Sequence, residues 1–265
     1  MNVHRVLALL IACAAGAVGA GAPTPASALT GPREPAPAAD KGKWEVLFDG
    51  NSLDAFNTKK LDGIWAVNAA GELYPAKPGE TIYTKKRYCD FVFAFECKIG
   101  GGKKTNSGAF VRVHDPRPNE EVWTGLEIQI LDNADYKFPF GSLAANGALY
   151  GLVGPKVDAN KPAGEWNTYR ITADGPMLSV NLNGKEVVKA DLSKWTKPGT
   201  NPDGTKNKFP HAIGSLPREG FVGLQNYNAT PVAFRNVRIK ALSDRKPKYT
   251  GSEAIDKILG PPPTK

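Results

Sequence analysis

The chain is built from short stretches in which apolar and polar side chains alternate, separated by Gly, Pro, Asn and Asp. Alternation with a period of two is the mark of a strand with one face buried. The pattern opens at Trp44-Glu45-Val46-Leu47-Phe48, before the turn Asp49-Gly50-Asn51-Ser52. It predicts further strands at 64–67, 72–75, 81–84, 90–99, 107–113, 125–131, 147–152, 166–173, 177–182, 185–190, 220–225 and 231–241. Phe91, Phe93, Phe95, Cys97 and Ile99 share one face of a long strand, as do Leu178, Val180 and Leu182 of another, and Val237 and Ile239 face the core near the domain's end. Asn183-Gly184 lies between two such runs and reads as a tight hairpin turn. No stretch of helical period stands among them, apart from a short helix expected around Glu253–Leu259. So many strands cannot make one flat sheet. The expected class is all-β, a two-sheet antiparallel β-sandwich or jelly roll.

Within this frame the stretch Gly125–Asn133 carries the most chemistry. Leu126, Ile128 and Ile130 point to one face. Glu127 and Gln129 point to the other, about 7 Å apart. A solvated outer face would give the same alternation, so the neighbouring strand matters. In Asn106–His114 the pattern puts Ala109, Val111 and Val113 in the core and Gly108, Phe110, Arg112 and His114 opposite. If the two strands are neighbours, Arg112 and His114 share a face with Glu127 and Gln129. An Arg beside a Glu stabilises its charge. Two long polar stretches, 132–146 and 193–219, are expected at the rim of a concave face, since long loops in a compact domain often carry function.

Composition narrows the classes. The formal charge is +8, and removing the Arg5-bearing leader leaves +7. The basic residues are dispersed, with no basic helix or aromatic-interleaved basic strand, so no nucleic-acid partner is expected. Residues 1–28 read as a signal peptide: Arg5, an apolar run from Val6 to Ala20, then small-residue sites at Ala20-Gly21-Ala22 and Ala26-Ser27-Ala28. The run is too short and broken for a transmembrane helix. Export to the periplasm or beyond follows. Leu10-Ile11-Ala12-Cys13 resembles a lipobox and offers a second reading, a lipid anchor at Cys13. An Ala/Pro-rich linker (29–42), the domain proper (43–242) and a carboxyl-terminal tail (243–265) complete the division. Cys89 and Cys97 would stand about 27 Å apart on one extended strand, beyond disulfide reach. They are expected unpaired.

Motifs for a nucleophilic serine, a phosphate loop or a dinucleotide are absent. Only His114 and His211 follow the leader, which argues against a histidine metal cage. Glu127 and Asp132 are left as oxygen ligands for a divalent ion, the one cofactor considered.

Six ordered blocks are similar to a known family: Leu47–Leu53, Asn106–Gly108, Gly125–Asp132, Gly147–Gly151, Lys161–Arg170, and Gly223–Gln225 with Pro231–Ile239. On these the chain resembles the 3-keto-disaccharide hydrolase domain family across about residues 43–242. The resemblance implies a concanavalin A-like jelly roll, a carbohydrate partner and activity on 3-keto-glycosides. In the retaining β-glucanases of similar fold, Glu, Asp and Glu alternate on one strand. Here those positions read Glu127, Gln129 and Leu131. A double displacement needs two carboxyl groups about 5 Å apart, which this strand does not supply. A 3-keto sugar needs only a base for the acidified C2 hydrogen, a proton donor and a cationic group near the enolate oxygen. The expected roles are Glu127 as base or acid, Arg112 or a divalent ion at the enolate, and Asn106 and Gln129 on sugar hydroxyls, with His114 beside them. Tyr150, Gln225 and Arg235 enter as members of matching blocks. Relatives often carry a histidine just before the Pro231 block. Asn226–Thr230 has none, which favours the alternative of a lectin-like module without turnover.

Overall fold

Phe91-Val92-Phe93-Ala94-Phe95 is the longest unbroken apolar run in any described strand, and the larger sheet is laid out on both edges of the strand that holds it. The computed structural model describes residues 43–249, apart from 60, 103, 118 and 119, together with 255–261. The signal-peptide, lipobox and linker expectations fall outside these residues. Twelve strands run in chain order: β1 (Glu45–Phe48), β2 (Trp65–Val67), β3 (Leu73–Pro75), β4 (Ile82–Tyr83), β5 (Phe91–Ile99), β6 (Asn106–Val113), β7 (Leu126–Leu131), β8 (Trp166–Asp174), β9 (Met177–Leu182), β10 (Lys185–Asp191), β11 (Phe221–Leu224) and β12 (Val232–Ala241). Short helices α1 (Glu121–Thr124) and α2 (Asn133–Tyr136) interrupt them, and α3 (Ile255–Leu259) follows the last. None of the described helices is long and apolar enough to cross a membrane.

Every pairing between strands is antiparallel. The larger sheet has the order β10-β9-β8-β5-β12-β3-β2, with β1 also on β12, and the smaller has β4-β11-β6-β7. Their facing sides form one core. Phe93, Phe95, Tyr169 and Ile171 from the larger sheet meet Val111, Ile128, Ile130 and Val222 from the smaller. Phe95 stacks on Tyr169 at 5.1 Å and meets Phe234 edge-on at 6.0 Å, contacts worth about 0.5–1.5 kcal/mol each beyond area burial. The expected two-sheet sandwich is therefore the observed one. Asn183 and Gly184 both have positive φ (51° and 84°), as the tight hairpin between β9 and β10 requires. Cys89 and Cys97 are free and buried.

Two expectations are corrected. Residues 147–152 are a turn, joined to β7 by the Ile128–Leu149 bridge and by backbone hydrogen bonds with Gln129 and Glu127, because Gly147 and Gly151 take φ of 80° and 73° and break the extended run. A bulge in β6 reverses the alternation of its last residues. Val113 faces Phe221 and Phe110 faces Gly223, so Val111 and Arg112 together oppose Val222. Arg112 takes φ 52°, and Val113 joins Tyr83, Phe110 and Phe221 in a second cluster rather than the main core. The tail beyond residue 242 is held at least to residue 249, where the Lys248 and Tyr249 N–H groups donate to the Glu219 carboxylate at 2.8 and 2.9 Å. A comparable bulge at Asn236 (φ 53°) lets Phe234 and Val237 both reach the core.

Candidate active site

On β7, Ile128 and Ile130 enter the core, so Glu127 and Gln129 stand on the opposite face of the smaller sheet. That face is covered rather than solvated: Glu127 is 7% exposed and Gln129 4%. Gln129 opposes Gly108 and Glu127 opposes Phe110 across β6. On the far side of β6, the Gln225 N–H donates to the Gly108 carbonyl at 2.8 Å. Gly108 thus lies between Gln225 and Glu127 and has no side chain to separate them. The Gln225 amide Nε2 donates to Glu127 Oε1 at 3.3 Å across this gap. A β-carbon at Gly108 would lie 2.8 Å from that same oxygen. Gly108→Ala is expected to displace the flexible end of Glu127 more than the backbone. Catalytic efficiency should fall at least about tenfold, since small misplacements of a reacting group are costly, while the melting temperature changes by less than about 3 °C. Steady-state kinetics beside thermal melts check this, and an equal loss of both would refute it.

The cation at Glu127 is Lys208, from the long 193–219 stretch. Its Nζ is 3.6 Å from Glu127 Oε2 and lies over the rings of Tyr150 at 5.0 Å and Phe209 at 5.7 Å. The Tyr150 N–H donates to the Glu127 carbonyl at 2.9 Å. Burial raises the Glu127 pKa above the ordinary carboxylate range, against the opposing effect of Lys208 and Gln225. Burial likewise lowers the Lys208 pKa, against the effect of Glu127. Each group is shifted toward its neutral form, the condition for a group that exchanges protons near neutrality. The buried Tyr83 hydroxyl is held protonated far above its usual range by burial and then by the charges of Glu121 and Glu127. Gly223 makes room for it, since a β-carbon there would lie 2.4 Å from the Tyr83 ring. Tyr150 is shifted upward by burial, Glu127 and Tyr227.

The other expected site residues divide. Asn106 begins β6 on the same face, and its Oδ1 is buried without a hydrogen bond to the described residues. Gln129 accepts from the Ile130 N–H at 3.1 Å. Arg112 is not at Glu127. The β6 bulge turns it under the loop, where it donates to the Gly175 carbonyl (2.8 Å), the Cys89 carbonyl and Asp90 Oδ1 (both 3.3 Å). His114, beyond the same bulge, lies 2.7 Å from Arg87 Nη2 through Nδ1 and edge-on to Tyr249. Arg235 is on the outer face of the larger sheet, paired with Glu96 at 2.7 Å and stacked over Trp166 at 4.0 Å. Asp132 caps α2 by accepting from the Ala134 N–H at 2.9 Å. Among the described residues no three His, Cys, Asp or Glu side chains are grouped to hold a metal ion. With an ammonium at one Glu127 oxygen and an amide donor at the other, these donors do not fit a divalent ion.

The family model of the 3-keto-alpha-glucoside-1,2-lyase-like domain matches residues 43–240. A crystal structure described as a "putative glycosyl hydrolase" from Parabacteroides distasonis ATCC 8503 superposes with a TM-score of 0.66 at 34% identity, over 76% of this chain and 100% of that one. Another structure of the same description and organism gives 0.60 at 24% identity, over 76% and 94%. No curated protein matches the chain.

Proposed function

Because the chain belongs to the 3-keto-alpha-glucoside-1,2-lyase-like domain family, we propose that it cleaves the C1–O bond of 3-keto-glycosides by elimination, with Glu127 as the base. The observation that carries this reading is the buried Glu127 carboxylate with Lys208 on one oxygen and Gln225 on the other. A ketone at C3 acidifies the hydrogen on C2. Glu127 takes that proton, the electron pair forms the C1=C2 bond, and the C1–O bond breaks. The departing oxygen takes a proton and leaves as the free alcohol. Water adding across C1=C2 then gives the 3-keto sugar. The negative charge that develops on the C3 oxygen needs a cation in a site shielded from water. Lys208 takes the role expected of Arg112. Gln225 holds Glu127 in place, and Asn106 and Gln129 bind sugar hydroxyls. Tyr150 offers a ring face for the sugar, as does Tyr227, which is 44% exposed.

The test is a timed incubation of the protein with 3-keto-trehalose and an aryl 3-keto-glucoside across a range of pH. The enone or 3-keto sugar is expected with release of the aglycone. The rate should climb as pH rises through the Glu127 pKa, which lies above its ordinary value, because the base must be ionised. It should fall at higher pH as Lys208, whose pKa lies below its ordinary value, loses its proton. The two limbs belong to the coupled pair. Intact substrates at every pH, with sugar still bound, would replace this reading by a lectin-like module.

A further inference from the structure

Away from Glu127, where the end of β6 meets the root of the loop that carries Lys208, there is a cavity of about 20 Å³, room for one water-sized particle. Its walls include Arg112 and Arg218, the hydroxyl-bearing Thr124, and the apolar Leu126, Leu192 and Ile213. From these we infer that it is a binding site for one small monovalent anion of halide size, held by Arg112 and Arg218.

Two independent observations support this inference. The first is an unmet donor. Arg112 is 4% exposed, and its terminal nitrogens are used on Gly175, Cys89 and Asp90. Its Nε is buried and hydrogen-bonds to none of the described residues. A guanidinium offers donors only, so this N–H calls for an acceptor. Thr124 Oγ1 is already engaged, accepting from the Asp115 N–H at 3.1 Å and donating to the Glu120 carbonyl at 3.1 Å.

The second observation is charge. Burial, and then the nearby charges of Arg245 and Arg218, lower the Arg112 pKa against the effect of Asp90. Asp90 is shared between Arg112 at 3.3 Å and Arg245 at 3.7 Å. Two guanidiniums thus share that carboxylate, while the cavity walls themselves carry Arg112 and Arg218 and no carboxylate. A water molecule would satisfy Nε and leave that charge standing, whereas an anion answers both. The small space suits a single small ion, and the leucine and isoleucine walls favour a weakly hydrated one such as chloride or bromide. The site joins Leu126, the residue before Glu127, to Leu192, Ile213 and Arg218 of the loop, so its occupant fastens the root of the loop to the strand that bears the base.

The experiment uses the purified full chain at constant ionic strength, with sodium gluconate replaced stepwise by sodium chloride or bromide. The melting temperature should rise saturably, by about 3–5 °C at ten times the dissociation constant. Arg218→Gln, which removes a partly exposed side chain, should stay folded and lose most of that rise. Crystals soaked in bromide should show an anomalous peak beside Arg112 Nε. Coincident melting curves in gluconate and halide, a rise that never saturates, a rise unchanged in Arg218→Gln, or a position holding only water would each overturn the inference.

Discussion

Glu127→Gln is expected to lower kcat/KM on an aryl 3-keto-glucoside by about a hundred- to ten-thousandfold, the usual contribution of a positioned general base. The variant keeps the shape and the hydrogen bond to Gln225 but cannot take the C2 proton. Its fold should survive. Because the Glu127 pKa is raised in the folded protein, the stability attached to that group is fully present below its unfolded-state pKa. It is lost as pH rises through the folded value. Once ionised, the wild type bears the cost of a buried carboxylate, and the neutral amide removes that cost. Lys208 loses its partner but retains the Tyr150 and Phe209 rings and a side chain 21% exposed. The melting temperature at neutral pH should lie within about 3 °C of the wild type. A folded variant with unchanged kcat/KM would remove Glu127 from the chemistry.

Asp90→Ala should have the largest effect on stability, about 3–5 kcal/mol, because it leaves a buried charge without its partner. Asp90 accepts from Arg112 and from the Gly175 N–H at 2.9 Å through one oxygen, and from the Ser243 hydroxyl at 3.1 Å through the other. It thus ties the entry to β5, the turn after β8 and the chain beyond β12 to one buried guanidinium. The Lys86–Glu45 pair is a useful contrast. It is 2.8 Å long, but its side chains are 69% and 38% exposed, so Glu45→Ala should cost less than about 1 kcal/mol. Urea unfolding of the two variants makes the comparison. Equal losses would show that Arg112 does not depend on Asp90.

The contrast between Glu127 and Arg112 shows what could be read from the sequence and why. Glu127 sits in the middle of an uninterrupted alternation, and its face follows from the parity of Ile128 and Ile130. Asn183-Gly184 is similarly local, since the turn needs two residues with positive φ and the sequence provides two that tolerate it. Arg112 follows a bulge, where one extra residue inverts every later position, and nothing in Val111-Arg112-Val113 marks the slip. His114 is misplaced by the same slip. Lys208 escapes for a different reason. It is one lysine in a polar loop, and its importance arises only when that loop folds back over a strand remote in sequence. Gln225 is legible through its block, but its reach to Glu127 depends on the empty position at Gly108. Glu121, whose charge acts on the Tyr83 hydroxyl, and Tyr83 lie on a one-turn helix and a two-residue strand, where alternation is too brief to assign a face.

The strand order of the larger sheet also bears on how the chain is made. β12 lies between β5 on one edge and β3 and β1 on the other, and it pairs Ile99 with Val232 and Phe91 with Ala241. Until this last strand emerges, β1, the β2–β3 pair and the β5-β8-β9-β10 group of the larger sheet have no edge in common. Contacts so distant in sequence form slowly, and the open edge of β5 is a run of Phe and Val that invites pairing with other chains. During synthesis the domain has no native resting point short of this strand, and a chain stopped before residue 232 lacks the strand that joins the three parts of its larger sheet.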